Sequence, residues 1–112
     1  MLMMIYKKYS IVTVPFPFTE KFLNKKRPAL IVSDEKYQSV TNHCILCMIT
    51  SSKHTSWNND IPIINTRDTG LSTPSKIRFK VFSLPIDLII ETIGVLNEIE
   101  ILTVKNNLQR IL

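Results

Sequence analysis

The residues of this chain that can be buried arrive in short runs. Ile11-Val12-Thr13-Val14, Ala29–Ser33, Cys44–Thr50, Ile61–Asn65, Lys76–Ser83 and Thr92–Leu96 are each long enough for a strand and too short for an ordinary helix. Proline, glycine or polar stretches separate them: Pro15-Phe16-Pro17-Phe18, Asp34–Asn42, Ser51–Asp60, Thr66–Gly70 and a Pro85–Ile90 turn with Ser83 as its cap. Within Lys76–Ser83 the period is two, with Ile77, Phe79 and Val81 on one face and Lys76, Arg78 and Lys80 on the other; Phe82 is out of phase. Only the tail, Glu98–Leu112, is spaced for a helix. Its residues Ile101, Leu102, Val104, Leu108, Ile111 and Leu112 form one broad stripe, and Asn97 with Glu100 reads as a capping box. The pattern predicts a mainly β, compact barrel of five to six short antiparallel strands with a C-terminal α-helix. An open α+β sheet is the alternative.

The chain has 112 residues, 45% hydrophobic and 21% charged, which predicts one globular domain spanning 1–112, with Met1–Lys8 as a frayed leader. A domain of this size buries roughly 65% of its unfolded surface, enough for one modest core. No apolar run reaches the roughly 18–20 residues of a membrane span. Met1–Ile5 is too short for the apolar region of a signal peptide, so a cytoplasmic protein is expected, with no membrane association. The formal net charge of +5 favours an anionic partner. Gly70 and Gly94 are the only glycines, and each is expected where the backbone needs one. The two cysteines form Cys44-Ile45-Leu46-Cys47 inside an apolar run. Residues i and i+3 of a strand face opposite sides, so the sulfurs diverge and are expected to be buried free thiols. No second cysteine pair completes a zinc site, and no metal or cofactor is expected.

The chemistry-bearing stretch is Asn24–Ser33, Asn-Lys-Lys-Arg-Pro-Ala-Leu-Ile-Val-Ser. Lys25, Lys26 and Arg27 cannot be buried cheaply as unpaired charges, whereas Ala29-Leu30-Ile31-Val32 reads as a buried strand. Arg27 therefore stands at a loop-to-strand junction, and Pro28 pushes it toward extended geometry. A guanidinium held this way suits a phosphate or carboxylate. If the Ala29 and Cys44 strands are antiparallel neighbours, the start of one lies beside the end of the next, bringing Arg27 near Thr50 and Ser51 at the head of Thr50-Ser51-Ser52. That is one fixed cation and two hydroxyl donors among Lys25, Lys26, Lys53 and Arg78, and its natural ligand is a phosphate. On RNA, a 2′-OH can attack its own 3′-phosphate, and the protein then has only to align the attack and stabilise charge. No Gly-rich phosphate loop, His-x-x-x-His or Gly-x-Ser-x-Gly occurs. His54, in the polar stretch after Thr50, is a secondary candidate for approaching the phosphate, Glu20 for accepting a proton near Arg27, and Phe18 or Trp57 for stacking on a base.

In order, Val14-Pro-Phe-Pro-Phe-Thr19, Lys26-Arg-Pro-Ala-Leu-Ile-Val-Ser33, Cys47-Met-Ile-Thr-Ser-Ser52, Gly70-Leu-Ser-Thr-Pro-Ser-Lys-Ile-Arg78 and Ile93-Gly-Val-Leu96 resemble the MazF/PemK family of toxin endoribonucleases. The resemblance implies an SH3-like β-barrel of the MazF/CcdB type that works as a homodimer. It implies metal-independent cleavage of single-stranded RNA, leaving 2′,3′-cyclic phosphate and 5′-OH ends. It further implies a cognate antitoxin and operator DNA bound only as the toxin–antitoxin complex. Arg27 and Thr50 take the catalytic positions, while Phe18, Thr19, Lys25, Lys26, Ser51, Ser52, Ser75 and Arg78 fall among RNA-binding positions. One departure stands out: Tyr9-Ser10 replaces the Gly-Asp pair usual before the first strand. The alternative is a non-enzymatic binder on the same fold, either a degenerate member that binds RNA or antitoxin or a CcdB-like gyrase poison. Against the gyrase mode, the chain ends Gln109-Arg-Ile-Leu112 and its one tryptophan is Trp57.

Overall fold

A computed structural model describes residues 4–15, 26–64 and 67–112. Its strands are β1 (Ser10–Pro15), β2 (Lys26–Ile31), β3 (His43–Ser51), β4 (Ile61–Ile63), β5 (Ser75–Pro85) and β6 (Glu91–Val95). They make one 6-stranded sheet in the order β4-β5-β3-β2-β1-β6, every ladder antiparallel. Helix α1 (Glu35–Thr41) joins β2 to β3, and α2 (Glu98–Ile111) ends the chain. The expected mainly β barrel with a C-terminal helix is borne out, as a curled half-barrel with β4 and β6 at its edges.

Strand alternation gives the sheet two packed faces. One buries Tyr6, Val12, Val14, Ala29, Ile31, Cys44, Leu46 and Leu84. The other buries Ile11, Leu30, Cys47, Ile49, Ile61, Ile63 and Ile77 against Leu96 and Val104, the latter from α2. The cysteines thus fall in different clusters, free and buried, as their spacing predicts. Burial pushes the Cys44 thiol up to about 11, despite a lowering hydrogen bond from Ser33, and the Cys47 thiol up to about 12. Between Cys47↔Val81 and Met48↔Arg78 the β3–β5 register shifts, and β5 bulges over the two residues Phe79 and Lys80. Two extra residues keep the alternation, so Phe82 and Leu84 share a sheet face with Lys76 and Arg78, apolar at one end of the strand and cationic at the other.

Several local expectations are corrected. The second strand begins at Lys26, so Arg27 and Pro28 lie inside it; Pro28 is tolerated because β3 pairs β2 only over Ala29–Ile31. The polar connection after Ser33 contains α1, capped by Asp34 accepting from Tyr37 N–H (2.8 Å) and closed by Asn42 in the left-handed region (φ 58°). Its one buried residue, Gln38, donates to Tyr6 O (2.8 Å) and Ser33 O (3.3 Å) and accepts from Tyr6 N–H (2.8 Å). The described part of the leader is therefore tied down at Tyr6. The turn near Pro85 is a 3-10 helix over Ile86–Leu88, with no side-chain cap from Ser83. In α2, Asn97 caps Glu100 N–H (2.8 Å), but the Glu100 carboxylate accepts from Ile64 N–H (2.6 Å), joining α2 to the end of β4. The buried side of α2 is also narrower than expected: Ile101, Val104 and Leu108 pack inward, and Leu102, Ile111 and Leu112 are exposed.

The segment around Thr69 crosses β6 at contact, with Val95 N–H donating to Asp68 O (2.9 Å). A Cβ on Gly94 would overlap the backbone of Asp68 and Thr69, and one on Gly70 would overlap Ile93 O. Gly70 also has φ +73°, so it is required twice over, whereas Gly94 is required by the crossing alone.

Candidate functional site

The sheet register assembles the site. Val14 stands opposite Arg27, and Thr50 opposite Lys76, which in turn faces Pro62. The β2–β3 ladder runs Ile31↔Leu46, Leu30↔Cys47, Ala29↔Met48. Continued by alternation, it sets Arg27 level with Thr50. Arg27 shares the face of Ala29 and Ile31, and Thr50 that of Leu46 and Cys44, which is the same face. Val14, Arg27, Thr50 and Lys76 therefore form one row across the sheet. Arg27 is half-buried and Thr50 is buried at 9% exposure. The strands, not a loop, hold the pair.

Beyond that row, Ser51–Asp60 folds back toward β5. Ser51 pairs with Ser75 across the strands, and its hydroxyl accepts from Lys53 N–H (3.2 Å). Ser75 is buried and donates to Thr73 O (2.9 Å), while Ser52, exposed, donates its N–H to Pro74 O (3.0 Å). The polar stretch Ser51–Asp60 is fastened by two β5 cations. Lys76, 6% exposed, reaches His54 O and Ser56 Oγ (3.3 Å) and lies 3.7 Å from Asp60. Arg78 forks onto both Asp60 oxygens (Nε 3.3 Å, Nη2 2.9 Å), bonds Thr55 O, and lies 4.6 Å from the centre of the Trp57 ring. The Asp60 carboxylate also accepts from Trp57 N–H (2.9 Å), and Arg110 of α2 donates to Asn59 Oδ1 (2.7 Å). Burial raises the Asp60 pKa, but the Arg78 and Trp57 hydrogen bonds and the Arg78 and Lys76 charges outweigh it, leaving it below the usual value.

Of the residues singled out from the sequence, Arg27, Thr50, Ser51, Ser52 and Lys26 lie around one end of the β2–β3 pair. Arg78 shares the face of Arg27 and Thr50 but holds the loop, whereas Lys26 and Ser51, one residue along each strand, fall on the opposite face. Ser75 directs its hydroxyl at its own loop. Phe18, Thr19, Glu20 and Lys25 lie outside the described residues. His54 is exposed in the fastened loop, while His43 sits at the far end of β3, its Nδ1 2.8 Å from Thr41 O. Asp60 and Lys76 were not singled out. The signal for them was the cationic face of β5 and one acid closing the polar stretch before β4.

No curated protein sequence matches the chain. Solved structures do. A MazE–MazF complex from Deinococcus radiodurans superposes with TM-score 0.74 at 17% identity, over 96% of this chain and 95% of that one. A mycobacterial endoribonuclease in complex with its cognate antitoxin gives 0.71 at 14% identity, over 95% and 91%. The Mycobacterium tuberculosis toxin MazF-mt6 gives 0.67 at 19% identity, over 87% and 89%. At these identities the likeness concerns the fold. The sequence signature of the PemK-like, MazF-like toxins of type II toxin–antitoxin systems matches residues 7–112, and the chain belongs to that family.

Proposed function

We propose that this chain is the toxin of a type II pair and cleaves single-stranded RNA without a metal. The observation that carries the reading is the Arg27–Thr50 row: a cation and a hydroxyl at one register on one face, both on paired strands. Such a pair is rigid enough to meet a phosphate in a fixed geometry. The ribose 2′-oxygen attacks the adjacent phosphorus and loses its proton, and the bond to the 5′-oxygen breaks as that oxygen gains one. A 2′,3′-cyclic phosphate and a 5′-OH result. Arg27 stabilises the extra negative charge on the non-bridging oxygens, since it stays charged and makes a poor base. The Thr50 hydroxyl donates to the same phosphoryl group. Lys26, Ser51 and Ser52 border the site at the strand ends, Phe18, Thr19 and Lys25 are RNA-binding positions of the sequence before β2, and Ser75 and Arg78 support the groove wall. The protein works in the cytoplasm as a homodimer. An antitoxin covers the groove, and operator DNA is bound only by the joint complex.

The test is cleavage of a mixed-sequence single-stranded RNA in EDTA, beside Arg27→Ala and Thr50→Ala. Discrete cuts with cyclic-phosphate ends are expected, each variant losing about 100- to 1,000-fold in rate, the usual effect of removing one oxyanion donor. Variants that cut at the wild-type rate would move the site elsewhere. A folded wild-type protein that binds RNA and leaves it intact would make this a binding-only member of the fold.

A further inference from the structure

Trp57 is the chain's only tryptophan, and it sits 49% exposed in a polar loop. An exposed indole ordinarily loses area to water and gains little. This one is propped: the Arg78 guanidinium lies 4.6 Å from its centre, and the Arg78 side chain is itself only 11% exposed. Arg78 is locked by the Asp60 fork and Thr55 O, and the Trp57 main chain is held through its backbone N–H, which donates to Asp60 (2.9 Å). One face of the ring is therefore covered by a fixed guanidinium, so the remaining exposure lies on the opposite face and the edge. Lys76 and Arg78 are successive same-face residues of β5, about 7 Å apart in a regular strand, and Lys76 pairs with Thr50. The ring thus belongs to the sheet face that carries Arg27 and Thr50.

We propose that the open face of Trp57 is a stacking platform for one unpaired nucleobase of the RNA, with Arg78 as the positioning residue that holds the ring flat. The proposal rests on the ribonuclease reading and adds a base-binding subsite to it. A rigid aromatic face beside cationic groups is how single strands are gripped without base pairing, each stacked base contributing about a tenfold or greater gain in affinity. A ring already immobilised loses little entropy when the base arrives. Stacking tolerates any base, so Trp57 contributes affinity and strand placement and leaves reading of the cut sequence to other groups.

Because Trp57 is the sole tryptophan, its emission reports the platform directly. Titration of the wild-type protein with a short single-stranded RNA, fully 2′-O-methylated so that it is not cut, is expected to quench that emission. Poly-glutamate of equal charge, which has no bases, is expected not to. On cleavable RNA, Trp57→Leu, which keeps an apolar cover over Arg78, is expected to raise KM about tenfold with kcat within about twofold, and Trp57→Phe to restore most of the loss. Arg78→Lys, with the charge but not the fork, is expected to raise KM in the same sense and to shrink the RNA quench. The titration needs no variant, so a misfolded mutant does not blunt it. Normal cleavage with no RNA quench and an unchanged Trp57→Leu KM would overturn the platform alone. Equal quenching by poly-glutamate would also overturn it, since the ring would then report charge. A protein that neither binds nor cuts RNA would overturn the platform and the ribonuclease reading together.

Discussion

Tyr9 sits with φ 71°, in the left-handed region that glycine adopts freely and other residues avoid. Its conformation is imposed from both sides: its N–H donates to Ile31 O (2.8 Å), its carbonyl accepts from Leu96 N–H (3.2 Å), and Ser10 N–H closes onto Lys7 O (3.0 Å). For a residue with a Cβ this costs about 1–2 kcal/mol. The ring offsets it by packing, half-buried, against the cluster under α2, with Lys8 Nζ 5.3 Å from its centre. Half of an aromatic side chain is roughly 100 Å² removed from water, or about 2.5 kcal/mol. Tyr9→Ala loses that burial and keeps the strain, a net cost of about 2.5 kcal/mol. Tyr9→Gly loses the same burial but releases the strain, less about 0.4–1 kcal/mol for the looser unfolded chain. The glycine variant should therefore be the more stable of the two by about 0.5–1 kcal/mol, the reverse of their order in regular structure. Urea unfolding followed by circular dichroism, with equal m-values for both variants, measures the difference. An alanine variant as stable as the glycine one would refute the claim that the hydrogen bonds hold Tyr9 left-handed.

Gly94→Ala drives a methyl group into the backbone of Asp68 and Thr69, which cannot swing aside as a side chain would; a loss of about 3 kcal/mol, or about 10 °C in Tm, is expected by thermal unfolding. A change of a degree or two would show that the crossing yields. The loop clamp has a pH limit set by Asp60. Its folded pKa is depressed, so its contribution is fully present above the ordinary value of 3.8 and is lost as pH falls through the lower folded one. Trp57 emission should hold steady from pH 7 to 5 and shift below 3.8, and Asp60→Asn should give the shifted spectrum already at neutral pH.

The strands were legible because each is a short β-type run, and the divergence of Cys44 and Cys47 followed from a period of two that β3 keeps throughout. The meeting of Arg27 and Thr50 was legible for the same reason, since antiparallel neighbours fix which ends lie level. Other features have local signals weaker than their consequences. Asp34 as a cap and Asn42 as a stop are individually ordinary residues, and α1 exposes nearly everything but Gln38, so no apolar stripe announced it. Tyr9 carries no mark of its left-handed backbone, because the hydrogen bonds that impose it come from Ile31 and Leu96.

The Ser51–Asp60 stretch shows where composition stops being informative. Ser-Ser-Lys-His-Thr-Ser-Trp-Asn-Asn-Asp has the make-up of a solvated loop, and composition counts polar groups without saying where their partners are. Here the partners of His54, Thr55, Ser56 and Asp60 are Lys76 and Arg78, and that of Asn59 is Arg110. The β5 cations reach the loop because β5 is in register with β3 on the Thr50 side of its bulge and shifted beyond it, a property of the ladder that no local window contains. Because that bulge spans two residues, the face is continuous across it: Leu84 with Phe82 packs on the core at one end while Lys76 and Arg78 hold the loop at the other, so one strand serves packing and the site. The Lys76 and Arg78 of that charge alternation are the fastening of the loop beside Thr50.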